Sequence, residues 1–118
     1  MGRETRLYVV IESDLRRKED NKCFAEVVGM IDISRCPLPG LWETEAGGYI
    51  FGHDGNTEIS EDGYGDPLMA EDINTVIDAL CRVVDETNYR RAKVARDFLK
   101  SIRRNFKKEN LMVYSFCH

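Results

Sequence analysis

The segment with the strongest structural signal runs from Asp72 to Lys108 and reads DINTVIDALCRVVDETNYRRAKVARDFLKSIRRNFKK. Apolar residues recur in it three and four positions apart, which is the period of a helix with one buried face. Two apolar stripes follow Asp72, the first made of Ile73, Val76, Ile77, Leu80, Cys81 and Val84, and the second of Ala92, Ala95, Phe98, Leu99, Ile102 and Phe106. The stretch therefore predicts two consecutive helices. Asp72 is expected to cap the first, and Thr87 or Asn88 the second.

The segments before and after this stretch alternate in the way that strands do. Asp54-Gly55-Asn56 favours a tight turn inside a hairpin, and Gly29 marks a bulge in a long strand. The predicted strands are Leu7 to Ile11, Cys23 to Ile33, Gly48 to Gly52, Thr57 to Ser60 and Leu111 to Cys117. The order β-β-β-β-α-α-β predicts an α+β fold in a single domain, residues 1–118. We expect a mainly antiparallel sheet of four to five strands, two consecutive C-terminal helices on one face and a last short strand.

The first two predicted strands are apolar on both sides. In the second strand, Val27 falls on the side of Gly29 and Val28 on the side of Met30. One side of the sheet packs on the helices, and the other is too apolar to be left in water. Its residues are Tyr8, Val10, Phe24, Val28 and Met30. Loops or a second subunit should cover this side, and the sequence therefore predicts a homodimer.

Charge reverses along the chain. The 118 residues are 42% hydrophobic and 32% charged with a formal net charge of -4, as expected for a soluble globular protein. From Trp42 to Glu86 the charged residues are acidic except for Arg82. From Asn88 to Lys108 they are basic except for Asp97. This pattern favours electrostatic partners, within the fold, across an oligomer interface or on another macromolecule.

The cations of the second helix occupy one continuous arc opposite its apolar stripe. Three interpretations stay open: a solvated face, contact with an acidic protein surface that includes the chain's own, or nucleic-acid binding by the basic helix 88–108. The net negative charge weakens attraction to nucleic acid, so the sequence favours a protein partner over nucleic acid. The candidate partner-binding cations are Arg90, Lys93, Arg96, Lys100, Arg103 and Arg104.

A proline-stiffened segment carries the only tryptophan and reads Pro37-Leu38-Pro39-Gly40-Leu41-Trp42. The prolines remove ladder donors, so this segment is a turn or a rigid connector. A tryptophan on a stiff loop loses little entropy when a partner buries it, which favours an interface anchor. The alternative is that Trp42 folds back to cap the core. Leu38, Leu41 and Trp42 are accordingly further candidate partner-binding residues.

No motif predicts catalysis or metal binding. Gly52 to Gly63 resembles part of an EF-hand calcium loop, but Gly52, Thr57 and Gly63 stand where an aspartate, a glycine and a glutamate are required. The two histidines, His53 and His118, do not sit at ligand spacing from a cysteine cluster. The sequence therefore predicts no catalytic residues, no metal and no cofactor.

The cysteines indicate the kind of cellular compartment in which the protein resides. Cys23, Cys36, Cys81 and Cys117 are widely spaced, and no export signal or spanning apolar segment accompanies them. We expect reduced thiols, a cytoplasmic location and no membrane partner.

These observations predict a non-enzymatic, acidic protein-interaction module that self-associates. A variant of this function is an inhibitor that presents the acidic stretch Glu43 to Asp72 to a nucleic-acid enzyme in place of nucleic acid, as compact phage and mobile-element proteins do. The alternative is a nucleic-acid-binding protein that uses the helix 88–108.

Overall fold

The computed structural model describes residues 5–16, 23–33, 38, 41–42, 44–45, 49–51, 57–59 and 61–117. Two helices follow one another after a series of strands, and a last strand closes the chain. The elements are β1 (Thr5–Arg16), β2 (Cys23–Asp32), β3 (Thr44–Glu45), β4 (Tyr49–Phe51), β5 (Thr57–Ile59), β6 (Met69–Asp72), α1 (Ile73–Thr87), α2 (Arg90–Asn105) and β7 (Leu111–Cys117). The α+β fold predicted from the sequence is confirmed.

The strands form one sheet in the order β3-β6-β7-β1-β2-β4-β5. Neighbouring strands are antiparallel except β2 and β4, which run parallel. The antiparallel centre, β6-β7-β1-β2, carries the helices, and the predicted hairpin is present as β4 and β5. Within the described part of the chain the short strands β3 and β6 widen the sheet beyond the four to five strands predicted. Both are too short to give a periodic sequence signal.

The helices pack on one face of the sheet and bury its centre. Leu7 and Val9 of β1 and Val113 of β7 are fully buried against them. The facing helical residues are Val76, Leu80, Ala92, Ala95 and Leu99, all without solvent exposure. Burying each large apolar side chain contributes roughly 1.5–3 kcal/mol, so this layer is the main source of stability.

The approach of α2 to β2 depends on Gly29. A Cβ atom placed there would lie 2.5 Å from Cδ1 of Ile102 and 2.8 Å from Cζ of Phe98. Both distances are shorter than Cβ contacts in real proteins. The absence of a side chain on Gly29 therefore lets the ends of the Ile102 and Phe98 side chains lie directly on the strand.

The predicted bulge lies next to Gly29. Val9 pairs with Gly29 and Val10 with Val27, so one residue of β2 is left over. The extra residue changes which side the preceding residues face. Val28 packs with the helix-side core, and Val27 packs with Val10 on the opposite face. The prediction that put Val28 on the face away from the helices was wrong, because the sequence pattern does not count the extra residue.

The other face of the sheet has a smaller apolar cluster. Val10, Leu68 and Tyr114 are buried there. Tyr8 stacks on Tyr114 with ring centroids 5.2 Å apart and meets Phe116 edge to face at 5.9 Å. Part of the face that was expected to need loops or a second subunit is thus covered within one chain. Met30 remains 49% exposed, and the side chain of Phe24 lies outside the described residues.

The helix ends follow capping chemistry. The carboxylate of Asp72 accepts a hydrogen bond of 2.9 Å from the backbone N–H of Asn74, as predicted. The expected cap of α2 was wrong. Thr87 is the last residue of α1, Asn88 ends that helix in the left-handed conformation with φ of 53°, and Tyr89 precedes α2 without a capping side chain. Asparagine tolerates this conformation better than most residues, which explains its position.

Candidate functional site

The basic face of α2 consists of Arg90, Lys93, Arg96, Lys100, Arg103 and Arg104. Arg90, Lys93, Lys100 and Arg104 are exposed, whereas Arg96 and Arg103 are half-buried. The opposite side of the helix is fixed in the core by Ala92, Ala95, Leu99 and Ile102. The amphipathic pattern therefore turns these cations outward, on a helix that packing holds rigid.

Among the residues that the structure describes, few acidic side chains pair with these cations. Nε of Arg96 lies 3.0 Å from Oδ1 of the adjacent Asp97, and Nη1 of Arg103 donates to Oδ1 of Asn74 over 2.9 Å. Lys93 and Lys100 form no ion pair with any residue that the structure describes. Exposed ion pairs contribute little in any case. The positive charge of this face is thus available to a partner.

The neighbouring helix α1 has the opposite character on its surface. Asp78, Asp85 and Glu86 are exposed, with Arg82 among them. The bond between Arg103 and Asn74 places the C-terminal end of α2 beside the N-terminal end of α1, so the helices are antiparallel. A predominantly acidic surface and a basic one therefore lie next to each other. The structure does not describe the side chains of the acidic residues between Glu43 and Glu58.

An open cleft of about 600 Å³ lies where the start of α1, the C-terminal end of α2 and the start of β7 meet. Four cations line it, namely Lys100, Arg103, Arg104 and Lys107. Asp72 and Glu109 add two carboxylates to its walls. The rest of the lining is Ile73, Asn74, Phe106, Asn110 and Leu111. Sequence reasoning identified most of the cations but missed the cleft. Its two sides come from segments 29 positions apart, which only the packed helix pair brings together.

Leu38, Leu41 and Trp42 lie against the helix-side core, each partly buried. Nε1 of Trp42 donates to the carbonyl oxygen of Val113 over 3.1 Å, and its backbone N–H donates to Oε2 of Glu71 over 3.4 Å. Its φ of 58° is unusual for a bulky residue. These contacts correspond to the fold-back alternative for Trp42. A role for the three residues in partner binding stays a prediction.

The structure brings together no three metal-ligating side chains among the residues it describes. Asp54 and Asn56 of the calcium-like stretch, together with both histidines, lie outside those residues. Cys81 and Cys117 are free thiols. No helix in the described ranges is long and apolar enough to cross a membrane.

Comparisons with family models, with curated proteins and with solved structures find no match to this chain.

Proposed function

We propose that this protein is a non-enzymatic protein-interaction module that self-associates through the complementary surfaces of its two helices. The observation that carries this proposal is the pairing of an unneutralised basic face on α2 with an acidic surface on the antiparallel neighbour α1. The free thiols of Cys81 and Cys117 support a reducing compartment such as the cytoplasm.

A dimer with a twofold axis would pair the acidic surface of α1 with the basic face of α2. In such a dimer each surface meets its complement on the other copy, because every contact occurs twice with the roles exchanged. The α1 surface of one copy would lie on the α2 surface of the second, and the reverse. Val94, 55% exposed between the cations, offers an apolar contact in the same place.

The expected association is weak and sensitive to salt. A pair of helices of 15 and 16 residues presents a patch roughly 24 Å long and about 20 Å wide. That is at the low end of specific interfaces. Exposed charges about 8 Å or more apart are largely screened at physiological ionic strength, so the contribution of charge falls as salt is added.

The test is a charge swap measured by sedimentation velocity. Arg90→Glu/Lys93→Glu/Arg96→Glu/Lys100→Glu makes both helix surfaces acidic, and Asp78→Lys/Asp85→Lys makes both basic. Each of the two variants alone should be monomeric at low salt, because its two surfaces repel their copies. An equimolar mixture of the two should form a heterodimer. Glu61→Lys, an exposed charge reversal in the loop before β6, is the control and should dimerise like the wild type.

Two results would remove the proposal. One is a wild-type protein that stays monomeric at low salt and high micromolar concentration. The other is a mixture of the swapped variants that fails to associate while each remains folded by circular dichroism.

Nucleic-acid binding by the same face is the second candidate. It is favoured by the exposed, unpaired positions of Lys93 and Lys100 on a rigid helix, as far as the described residues extend. Fluorescence anisotropy with short DNA and RNA distinguishes it. If the cations contact phosphates, the logarithm of affinity falls steeply with the logarithm of salt, and each cation removed lowers the slope by about one. On the protein-interaction proposal, affinity for nucleic acid is negligible at about 0.15 M salt.

A further inference from the structure

We propose that the cleft between α1, α2 and β7 binds a phosphorylated small molecule of nucleotide size, with Lys100, Arg104 and Lys107 holding its phosphates. This site shares Lys100, Arg103 and Arg104 with the basic face of α2, and it lies at the opposite end of the helix from Arg90 and Lys93. Arg90 and Lys93 do not line the cleft.

Three cations converge on the cleft. Lys100 and Arg104 lie four positions apart on α2 and so project to the same side of the helix, and Lys107, beyond the end of the helix, lines the same cleft. None of them forms an ion pair with a residue that the structure describes. Like charges this close repel one another, and a polyphosphate would neutralise all three at once. Arginine and lysine both bind phosphate oxygens, arginine through two parallel N–H donors.

The shape and lining of the cleft suit a small molecule. Its volume of about 600 Å³ lies within the range of small-molecule sites. Half-buried Phe106 adds an aromatic ring to the wall, whereas Ile73 and Leu111 are buried and expose little apolar surface. An aromatic ring can stack on a nucleobase while the cations hold the phosphates. Arg103, held by Asn74, gives the positive wall a fixed position.

The two carboxylates of the cleft limit the size of the ligand. Asp72 and Glu109 stand on the walls of the same cleft. A nucleic-acid strand running through it would bring successive phosphates close to one or the other carboxylate, which repels them. A compact ligand can turn its phosphates toward the cations and away from both acids. The geometry thus favours a nucleotide over a polymer.

A structural role accounts for only part of the cluster. Arg103 and Arg104 lie in the last turn of α2, where cations offset the negative end of the helix dipole. Lys107 lies beyond the end of the helix at Asn105, and Lys100 lies before the last turn. Their convergence on a concave site is not required by the dipole.

The test is isothermal titration calorimetry with ATP, pyrophosphate and inorganic phosphate as probes at about 0.15 M salt. We expect ATP and pyrophosphate to bind and inorganic phosphate to bind more weakly, since it meets fewer cations. Arg104→Ala/Lys107→Ala should weaken ATP binding by about tenfold or more, because charge-assisted hydrogen bonds are lost. The matched control, Arg90→Ala/Lys93→Ala, removes the same charge from the same helix outside the cleft. It should change ATP affinity by about twofold or less.

The outcomes distinguish recognition of a nucleotide from recognition of phosphate groups alone. Tighter binding of ATP than of pyrophosphate supports a nucleotide where Phe106→Ala abolishes the difference, because ATP also carries one more phosphate. A difference that persists in Phe106→Ala comes from that phosphate. Equal binding of the two supports the phosphate site and excludes a role for the base. The proposal is overturned if neither probe binds, or if both double variants lose ATP affinity equally. The proposal is also overturned if a short oligonucleotide binds more tightly than ATP and if the two alanine double variants lose affinity for the oligonucleotide equally. The charge-swap dimer can fail without affecting any of these results.

Discussion

At the scale of single residues, Gly29 decides how closely the helices approach the sheet. The bulge beside Gly29 changes which side of the sheet the residues before it face. The missing side chain of Gly29 leaves room for Ile102 and Phe98. Gly65 contrasts with it. That glycine has φ of 80°, and a Cβ atom added to it would have nothing within 4 Å, so it is required by backbone conformation and not by space.

Gly29→Ala is expected to destabilise the protein by roughly 1–3 kcal/mol, the usual cost of overpacking a filled core. Gly65 supplies the comparison, since Gly65→Asn should cost well under this amount because asparagine tolerates the left-handed region. The measurement is the free energy of unfolding in urea. Equal stability of Gly29→Ala and wild type would contradict this expectation and show that the ends of the Ile102 and Phe98 side chains shift aside at little cost.

At the scale of elements, the helices were the most predictable part of the molecule. Their apolar stripes fixed both existence and buried faces, and the structure buries the same faces. Boundaries were less certain. Thr87, Asn88 and Asp72 are all capping residue types, and only the chain path shows that Asn88 ends one helix and does not begin the next.

Asp72 has two roles that substitutions can separate. Its carboxylate caps α1 and also lies on the wall of the proposed phosphate site. Asp72→Ala should lower the free energy of unfolding by about 1 kcal/mol through loss of the cap. Asp72→Ser keeps a capping oxygen, so stability should be nearly unchanged while ATP affinity rises because a negative charge is gone.

Thermal unfolding and calorimetry on the two variants check this expectation. Asp78→Ala is the control, because it removes an exposed carboxylate from the middle of α1 without touching the cap or the cleft. If Asp72→Ser bound ATP less tightly than wild type, the carboxylate would be assisting the ligand, contrary to the proposal.

At the scale of the whole molecule, the sequence predicted the α+β class and the antiparallel centre but not the width of the sheet or the cleft. Hydrophobic periodicity is a local signal, so it identifies β1, β2 and β7, whereas short strands such as β3 depend on neighbours for their pairing. The cleft is a product of how the helix pair sits on β7. No pattern within one segment encodes it.

The mode of self-association gives the whole-molecule prediction. Because Val10 and Tyr114 are already buried within one chain, we expect the dimer to use the helices and not the opposite face of the sheet. Met30→Glu should therefore leave the dissociation constant unchanged, while raising salt from about 0.05 to about 0.5 M should weaken it strongly. Sedimentation velocity measures both effects. If the dissociation constant did not change with salt and Met30→Glu abolished the dimer, the interface would lie on the sheet.

The placement of β7 between β1 and β6 has a consequence for how the chain is made. Thr5 and Cys117, partners in this ladder, are 112 positions apart. Contacts over such separations form late and slow the overall rate of folding. During synthesis, one edge of β1 and its apolar side chains stay uncovered until β7 leaves the ribosome. The newly made chain is therefore most prone to aggregation in the interval before β7 arrives.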